Sequence, residues 1–270
     1  MVYGIVNPSK VCIEQNTPSM FFSGGLTSSE IVDRLIFTRA VAPLCAFSDP
    51  EYITTNVDLH RGHNCALHLV AAGFIPTKAD LNRIQKCAID LATSGLILDD
   101  SRDLTVEAIA ADARDNLAEA GIGFIVIDHL HLIRSESTRP GTPRKCEMAR
   151  VIREIRSLAQ ELGLPVLVSA HLKRRADGRL PRIGDIRESG AIEHEADFVG
   201  LLHREGPIAD ENYFNLLIAK NYNGPTRTVS LFRPPGLQWF EQGQVHNEEE
   251  EMERAWRDYR NEKDYPPEIA

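Results

Sequence analysis

A carboxylate follows an apolar run in the middle of the chain, and this placement suits a metal ion that lies beside phosphate groups. Phe124 to Ile127 reads Phe-Ile-Val-Ile, and Asp128 comes directly after it. A continuous apolar run rich in β-branched residues is typical of a parallel strand buried on both faces. Ligands of open α/β sheets bind beyond the carboxyl ends of such strands, where an Asp can hold Mg²⁺ against nucleotide phosphates. The alternative is that Asp128 only caps the next turn.

Residue types that bind metals also occur close together at His60, His63, Cys65 and His68. A zinc site usually needs a second pair of ligands, and the sequence does not offer one elsewhere. We therefore interpret these residues as loop residues that face water or a neighbour, with zinc as the alternative. Turn signals without an amphipathic period predict that the surrounding residues 41–73 form an irregular insertion.

The length and composition are those of a globular protein with a full core. The chain has 270 residues, of which 43% are hydrophobic. Its five cysteines are scattered and odd in number, which predicts reduced thiols in a cytoplasmic protein. Since no apolar run approaches the length of a membrane span and the N-terminus has no signal-peptide pattern, we expect no membrane contact.

Charge is distributed unevenly along the chain, although the net charge of −9 is not that of a general nucleic-acid binder. Residues 173–187 hold six Lys/Arg and two acids, whereas residues 246–270 hold nine acids and four Lys/Arg. A basic stretch can neutralise phosphates even in an acidic protein. The acidic end has a helix-forming composition but little to bury, so we predict a mobile tail over residues 244–270.

Strands and helices alternate along most of the chain. Helical spacing of apolar residues predicts a helix after Thr27 or Ser28 as cap, a helix over Ala79–Ala92, a helix capped by Asp103, and a helix from Met148 to Gly163. Apolar runs predict strands at Met20, Leu96, Phe124, Val166 and Phe198, and Asn223-Gly224-Pro225 predicts a hairpin turn. This alternation predicts βαβ units, and the apolar runs at Phe124, Val166 and Phe198 favour a parallel sheet with the Phe124 strand near its centre.

Several motifs in this order resemble the C-terminal motor domain of the DnaB-type replicative helicases, which are RecA-like ring ATPases. The matching segments are Phe21–Ser23, Thr27–Glu30, Arg34–Leu35, Leu98–Asp100, Ile125–Leu132, Ser169–Arg174, Asp185–Glu193, Glu195–Asp197 and Ala219–Thr226. They cover roughly residues 20–240 apart from the irregular stretch. Asp185–Glu193 is the most specific of them, because it is nearly identical to the DNA-facing loop of the family.

The resemblance implies a RecA-like P-loop NTPase core, that is, a mostly parallel α/β sheet with helices on both faces, over residues 1–243. It implies ATP-dependent unwinding of DNA during replication by a homo-hexamer, with ATP and Mg²⁺ as cofactors. By the same resemblance, Asp128 would hold Mg²⁺ through water, His171 would sense the γ-phosphate, and Lys220 would reach a phosphate across a subunit interface.

The resemblance also assigns a DNA-facing surface. Arg187, Glu188 and Gly190 would contact single-stranded DNA, with Lys173 and Arg174 adding positive charge, and such backbone contacts grip DNA independently of sequence. Two alternatives stay open at this point. The alternative for His171 is a core histidine with its hydrogen bonds satisfied. The alternative for Arg187 and Glu188 is a surface ion pair that contributes little energy.

Three departures from the family concern ATP chemistry. A Gly-x-x-x-x-Gly-Lys-Ser/Thr loop does not precede the Phe21 strand. Gly25 stands where the family has a Glu that activates water, and Tyr222 stands where it has the arginine finger. A start codon further upstream would restore the phosphate loop but neither of the other two residues.

Two functions therefore remain in view. The chain is a helicase motor impaired in ATP hydrolysis and complemented by intact helicase subunits in a mixed ring, or it is a non-enzymatic RecA-like module that binds DNA or a partner helicase. A degenerate gene fragment is a third account.

Overall fold

A computed structural model describes residues 8–40, 78–173, 180–187, 190–204, 213–233 and 240–242 of the chain. The predicted insertion at residues 41–73, its His and Cys residues, and the acidic tail at residues 244–270 lie outside these ranges. Within the ranges, no helix is long and apolar enough to cross a membrane.

The order of helices and strands follows the predicted alternation. The helices are α1 Pro8–Gln15, α2 Ser28–Ala40, α3 Lys78–Ala92, α4 Val106–Ala120, α5 Arg144–Leu162 and α6 Gly190–Glu195. The strands are β1 Ser19–Ser23, β2 Leu96–Asp99, β3 Phe124–Asp128, β4 Val166–Val168, β5 Phe198–His203, β6 Tyr213–Asn221, β7 Arg227–Phe232 and β8 Glu241–Gln242. Short 3₁₀ turns lie at Leu130–Leu132 and Ile183–Asp185.

The first four strands form a parallel sheet in the order β2-β1-β3-β4. The predicted inner position of the Phe124 strand is confirmed, since β3 pairs with β1 on one side and β4 on the other. In this register Phe22 lies beside Asp99, and Ser23 lies beside Asp128. The carboxyl ends of the three strands therefore reach the same edge of the sheet.

Helices cover the parallel sheet on both faces, as predicted. On one face, Phe22 and Ile127 pack with buried residues of α4 and α5, among them Ile109 and Val151. On the other face, alternate residues of the same strands, Phe21 and Val126, pack against Ile31, Leu35 and Leu91 from α2 and α3. The two faces explain why β1 and β3 are apolar at every position except their ends.

The Phe198 strand does not belong to the parallel sheet, and this part of the prediction is wrong. β5 begins a separate antiparallel sheet in the order β5-β6-β7-β8. Its burial alternates, because Phe198 is 51% exposed whereas Val199 is 6% exposed. A short apolar run cannot by itself distinguish a strand buried on both faces from an edge strand, and the adjacent β6–β7 hairpin offers β5 a local antiparallel partner.

A third group of apolar residues joins the two sheets. Ile186, Val199 and Leu201 are buried together, and Leu172, Ile192 and Leu217 pack against them. Residues that follow β4, residues of α6 and the first strands of the antiparallel sheet therefore share one core.

The N-cap of helix α4 lies two residues later than predicted, at Thr105 and not at Asp103. Thr105 is the N-cap, and its hydroxyl accepts a hydrogen bond from the Ala108 N–H at 3.2 Å. The Thr105 hydroxyl also donates to the Glu136 carboxylate at 3.0 Å. Asp and Thr are both good N-caps, so the local sequence does not decide between positions 103 and 105.

Because Thr105 caps α4 and Asp103 does not, substitutions at these two positions form a matched pair. Thr105→Ala should lower the free energy of unfolding by about 1 kcal/mol, because it removes the cap of α4. Asp103→Ala should change that free energy by no more than about 0.5 kcal/mol, as surface substitutions usually do. Urea unfolding followed by circular dichroism measures both, and equal losses in the two variants would contradict the assigned cap.

Candidate functional site

Asp128 lies at the carboxyl edge of the parallel sheet and is oriented by the neighbouring strand. The Ser169 hydroxyl, just after β4, donates to Asp128 Oδ1 at 2.5 Å. Two backbone hydrogen bonds hold Ser169 in place, from its own N–H to Ile127 O and from the Leu130 N–H to Ser169 O. The 3₁₀ turn that follows begins at Leu130, and its N-cap is His129, with no side-chain cap hydrogen bond. The alternative that Asp128 caps this turn is therefore wrong.

Three histidine rings lie close together, and one of them belongs to His129, the residue after Asp128. The ring centroids of His129 and His171 are 4.0 Å apart, and His131 lies 5.8 Å from His129 and 5.9 Å from His171. Burial lowers the pKa of His129, the nearby His171 and His131 lower it further, and Asp128 opposes them. His171 itself is exposed, so the alternative of a core histidine is wrong.

The backbone after β4 runs beside the start of the predicted DNA-facing loop. Leu172 and Ile186 form an antiparallel bridge. The Arg187 N–H donates to His171 O at 3.0 Å, and the Lys173 N–H donates to Asp185 O at 2.7 Å. His171, beside the candidate metal ligand, is thus joined to Arg187 by a single hydrogen bond between backbone atoms.

Side chains reinforce this pairing. Lys173 Nζ donates to Gly184 O at 2.7 Å, and His131 Nε2 lies 3.4 Å from Arg187 O. Arg187 is exposed, as a phosphate contact requires. Arg174 and Glu188 lie outside the described residues, so the alternative of an Arg187–Glu188 ion pair stays open.

Lys220 and Gly190 are not at the Asp128 edge. Gly190 begins α6, and Lys220 lies near the end of β6, beside the hairpin turn. Lys220 Nζ donates to Glu193 O of α6 at 2.7 Å. Tyr222 follows it and is 80% exposed.

Asp100, at the end of β2, is engaged by the helix that follows β1. Its Oδ2 accepts a hydrogen bond from the Ser28 N–H at 2.6 Å, and this bond lowers the pKa of Asp100. Glu30 accepts hydrogen bonds from the backbone and hydroxyl of Thr27, at 2.9 and 2.8 Å. The first turn of α2 is therefore tied to the same sheet edge as Asp128.

Gly24 and Gly25 differ in the space around them. The Gly24 N–H donates to Asp128 O at 3.0 Å. A Cβ at Gly24 would lie 2.9 Å from both Cβ and Cδ1 of Leu132, whereas a Cβ at Gly25 would lie 3.8 Å from Leu132 Cδ1. Gly24 is required by close packing, but position 25 is exposed and can carry a side chain.

Mg²⁺ fits this edge only as an ion that keeps much of its water shell. Among the described residues, no group of three His, Cys, Asp or Glu side chains could hold a metal ion. Asp128 offers one carboxylate whose orientation is set by Ser169. A single carboxylate with bound water is a usual way for proteins to hold Mg²⁺ beside phosphate groups.

No role was predicted for Ser169, for His129, or for Arg156 of α5, which contacts Glu195 and Asp197. A signal for the first two was present, because Ser169 and His129 follow apolar runs that were both predicted as strands. The signal was incomplete, since only the pairing of β3 with β4 shows that the two ends are neighbours. Arg156 carried no signal, because an arginine on the polar side of an amphipathic helix is ordinary.

Most of the chain matches a known protein family. Residues 5–242 match the family described as the DnaB-like helicase C terminal domain. The chain belongs to this family. It is 31% identical over 232 residues to the replicative DNA helicase DnaB of Leifsonia xyli, covering 81% of this chain and 44% of that protein. It is 38% identical over 143 residues to the replicative DNA helicase DnaC of Bacillus subtilis, covering 50% of this chain and 31% of that protein.

Solved structures support the same fold. A structure described as an ATPase domain aligns with a TM-score of 0.69 at 20% identity, covering 89% of this DnaB-like chain and 83% of that one. A DnaB-like replicative helicase studied with primase aligns with a TM-score of 0.67 at 22% identity, covering 84% of this chain and 52% of that one. The predicted RecA-like α/β fold and the predicted family are confirmed. This chain spans less than half the length of the two curated relatives named above.

The two adjacent glycines provide a test of the site geometry. Gly24→Ala should lower the free energy of unfolding by about 1–3 kcal/mol, because its methyl group would overlap Leu132. Gly25→Glu should change it by about 0.5 kcal/mol or less, as expected at an open surface position. Thermal and urea unfolding of both variants check this, and a Gly25→Glu protein that fails to fold would show that position 25 is closed.

Proposed function

We propose that this chain is a DnaB-type motor module that binds single-stranded DNA and hydrolyses ATP poorly. The observation that carries the proposal is the hydrogen bond from the Arg187 N–H to His171 O, which joins the Asp128 edge to the DNA-facing loop. Asp128 would hold Mg²⁺ through water, and His171, exposed beside it, would sense a bound phosphate. The ATP–Mg²⁺ complex would supply the phosphoryl group to be transferred.

DNA binding is assigned to the loop that carries Arg187. Arg187 is exposed, and Glu188, Gly190, Lys173 and Arg174 complete the surface implied by the family motif. Backbone contacts of this kind need no nucleotide chemistry, so they can persist where hydrolysis fails. Membership of the family supports a cytoplasmic homo-hexamer, or a mixed ring with intact helicase subunits, as the assembly.

Weak hydrolysis is proposed because of two residues inside the matched region. Gly25 has no carboxylate to orient the attacking water, and Tyr222 has no positive charge for the transition state. Loss of an arginine finger alone costs on the order of a thousandfold in turnover. The same two residues favour the second candidate function, a non-enzymatic RecA-like module that binds DNA or a partner helicase.

ATP turnover by the purified chain tests the proposed impairment. We expect a rate indistinguishable from that of Asp128→Ala, with and without single-stranded DNA. Gly25→Glu or Tyr222→Arg alone should not raise it, because catalytic groups that act as a unit do not restore activity singly. DNA-stimulated turnover that disappears in Asp128→Ala would contradict the proposed impairment.

Binding to DNA should be weak and sensitive to salt. Fluorescence anisotropy with labelled oligothymidylate should give an affinity that falls steeply as salt rises, because released counterions drive the binding. Arg187→Ala should weaken binding and reduce the slope of log affinity against log salt by about 1. Arg114→Ala removes an equal charge from the ion pair with Glu161 and serves as the control. Equal effects of the two substitutions would argue against a DNA-facing role for Arg187.

A further inference from the structure

Lys220 holds the C-terminal end of helix α6. Its Nζ donates to Glu193 O at 2.7 Å and lies 3.5 Å from His194 O. The last carbonyls of a helix have no partner within the helix, and a cation placed there satisfies them and offsets the negative end of the helix dipole. Lys220 therefore stabilises α6 from the side of strand β6.

Arg156 holds the same end of α6 from the side of helix α5. Its guanidinium donates to Glu195 O and, at 3.2 Å, to Asp197 Oδ1. Nε of Arg156 also lies 3.8 Å from the Glu195 carboxylate. The Asp197 carbonyl in turn accepts a hydrogen bond from the Tyr222 N–H at 2.9 Å. Two cations from two long elements thus converge on the last turn of α6.

Helix α6 depends on such support because it is only six residues long. An isolated helix of that length is not stable in water. Its Ile192 side chain packs with Ile186 and Val199, which gives it one apolar anchor. Lys220 and Arg156 supply polar anchors at the end opposite to the loop that carries Arg187.

We propose that Arg156 and Lys220 are positioning residues that clamp α6 and thereby hold the Arg187 loop in its DNA-binding arrangement. Ile192 of α6 packs against Ile186, the residue before Arg187, so the position of the helix bears on that of Arg187 through this contact. Both cations are engaged by carbonyl or carboxylate oxygens of this chain and act on DNA through the helix, a role that does not require the expected contact of Lys220 with a phosphate of a neighbouring subunit. The DNA part of this inference rests on the proposed function, whereas the clamp itself can be measured without DNA.

The test compares Lys220→Met, Arg156→Met and the double variant that carries both substitutions with three further variants. Lys220→Arg and Arg156→Lys keep the charge and should retain part or all of the slow exchange in α6 and of the affinity for DNA. Arg114→Met removes an equal charge from an exposed ion pair between α4 and α5 and is the control. Hydrogen exchange followed by mass spectrometry reports on peptides that cover residues 183–197 without DNA. Anisotropy with labelled oligothymidylate reports the affinity for DNA, and thermal unfolding shows that each variant is folded.

Both Met variants should speed exchange in α6 and weaken oligothymidylate binding by about tenfold, as the loss of one charged hydrogen bond predicts. The double variant should lose less than the product of the two single effects, because both residues hold one helix. Direct phosphate contact by Lys220 or Arg156 would reduce the slope of log affinity against log salt by about 1 in its Met variant, whereas positioning alone would leave that slope unchanged. Arg114→Met should leave exchange in α6 unchanged and DNA binding within about twofold.

Three results would overturn the inference. Weaker DNA binding with unchanged exchange in α6 and a salt slope reduced by about 1 would show direct phosphate contact. Faster exchange with unchanged affinity would show that the clamp is only structural. Unchanged exchange in both Met variants would show that there is no clamp. If the unaltered chain does not bind oligothymidylate, the proposed function fails, and exchange alone decides whether the clamp exists.

Discussion

Strand β3 pairs in parallel with β1 and β4, and helices bury it on both faces. Because parallel strands end at one edge, this arrangement brings Asp128 beside Ser23 and within hydrogen-bonding distance of Ser169. The Ser169 hydroxyl sets the direction of the carboxylate, and the turn after Asp128 places two histidines next to it. The chemistry available at this edge therefore depends on the core that keeps the three strands in register.

Among the described residues, the segment that follows β4 lies beside the residues that precede Arg187. The residues after β4 pair with the residues before Arg187 through a bridge and backbone hydrogen bonds. On the far side of the loop, helix α6 is held by cations from α5 and β6. Arg187 thus follows residues that pair with the backbone beside the Asp128 edge, and the helix after it is held from α5 and β6.

The departures from the family lie at positions where the fold has room for the family residue. Position 25 is exposed, and a Cβ there would lie 3.8 Å from Leu132 Cδ1, an ordinary contact distance. Tyr222 projects from the hairpin into solvent. Neither Gly25 nor Tyr222 is demanded by packing, in contrast to Gly24. The packing of the fold therefore does not dictate which residue stands at position 25 or 222.

The sequence alone determined the family, the parallel sheet with β3 inside it, and the hairpin, because these rest on strong apolar periods and on motifs in a fixed order. It placed Asp128 and His171 at strand ends, where the structure brings them together. Only the tertiary structure decided that the Phe198 strand belongs to an antiparallel sheet, since a short apolar run does not reveal its partner. The same holds for the Thr105 cap, the contact between Ser169 and Asp128, and the two cations on α6. Each of these depends on residues far apart in the chain or on a choice between equally good local caps, and local physical chemistry cannot settle either.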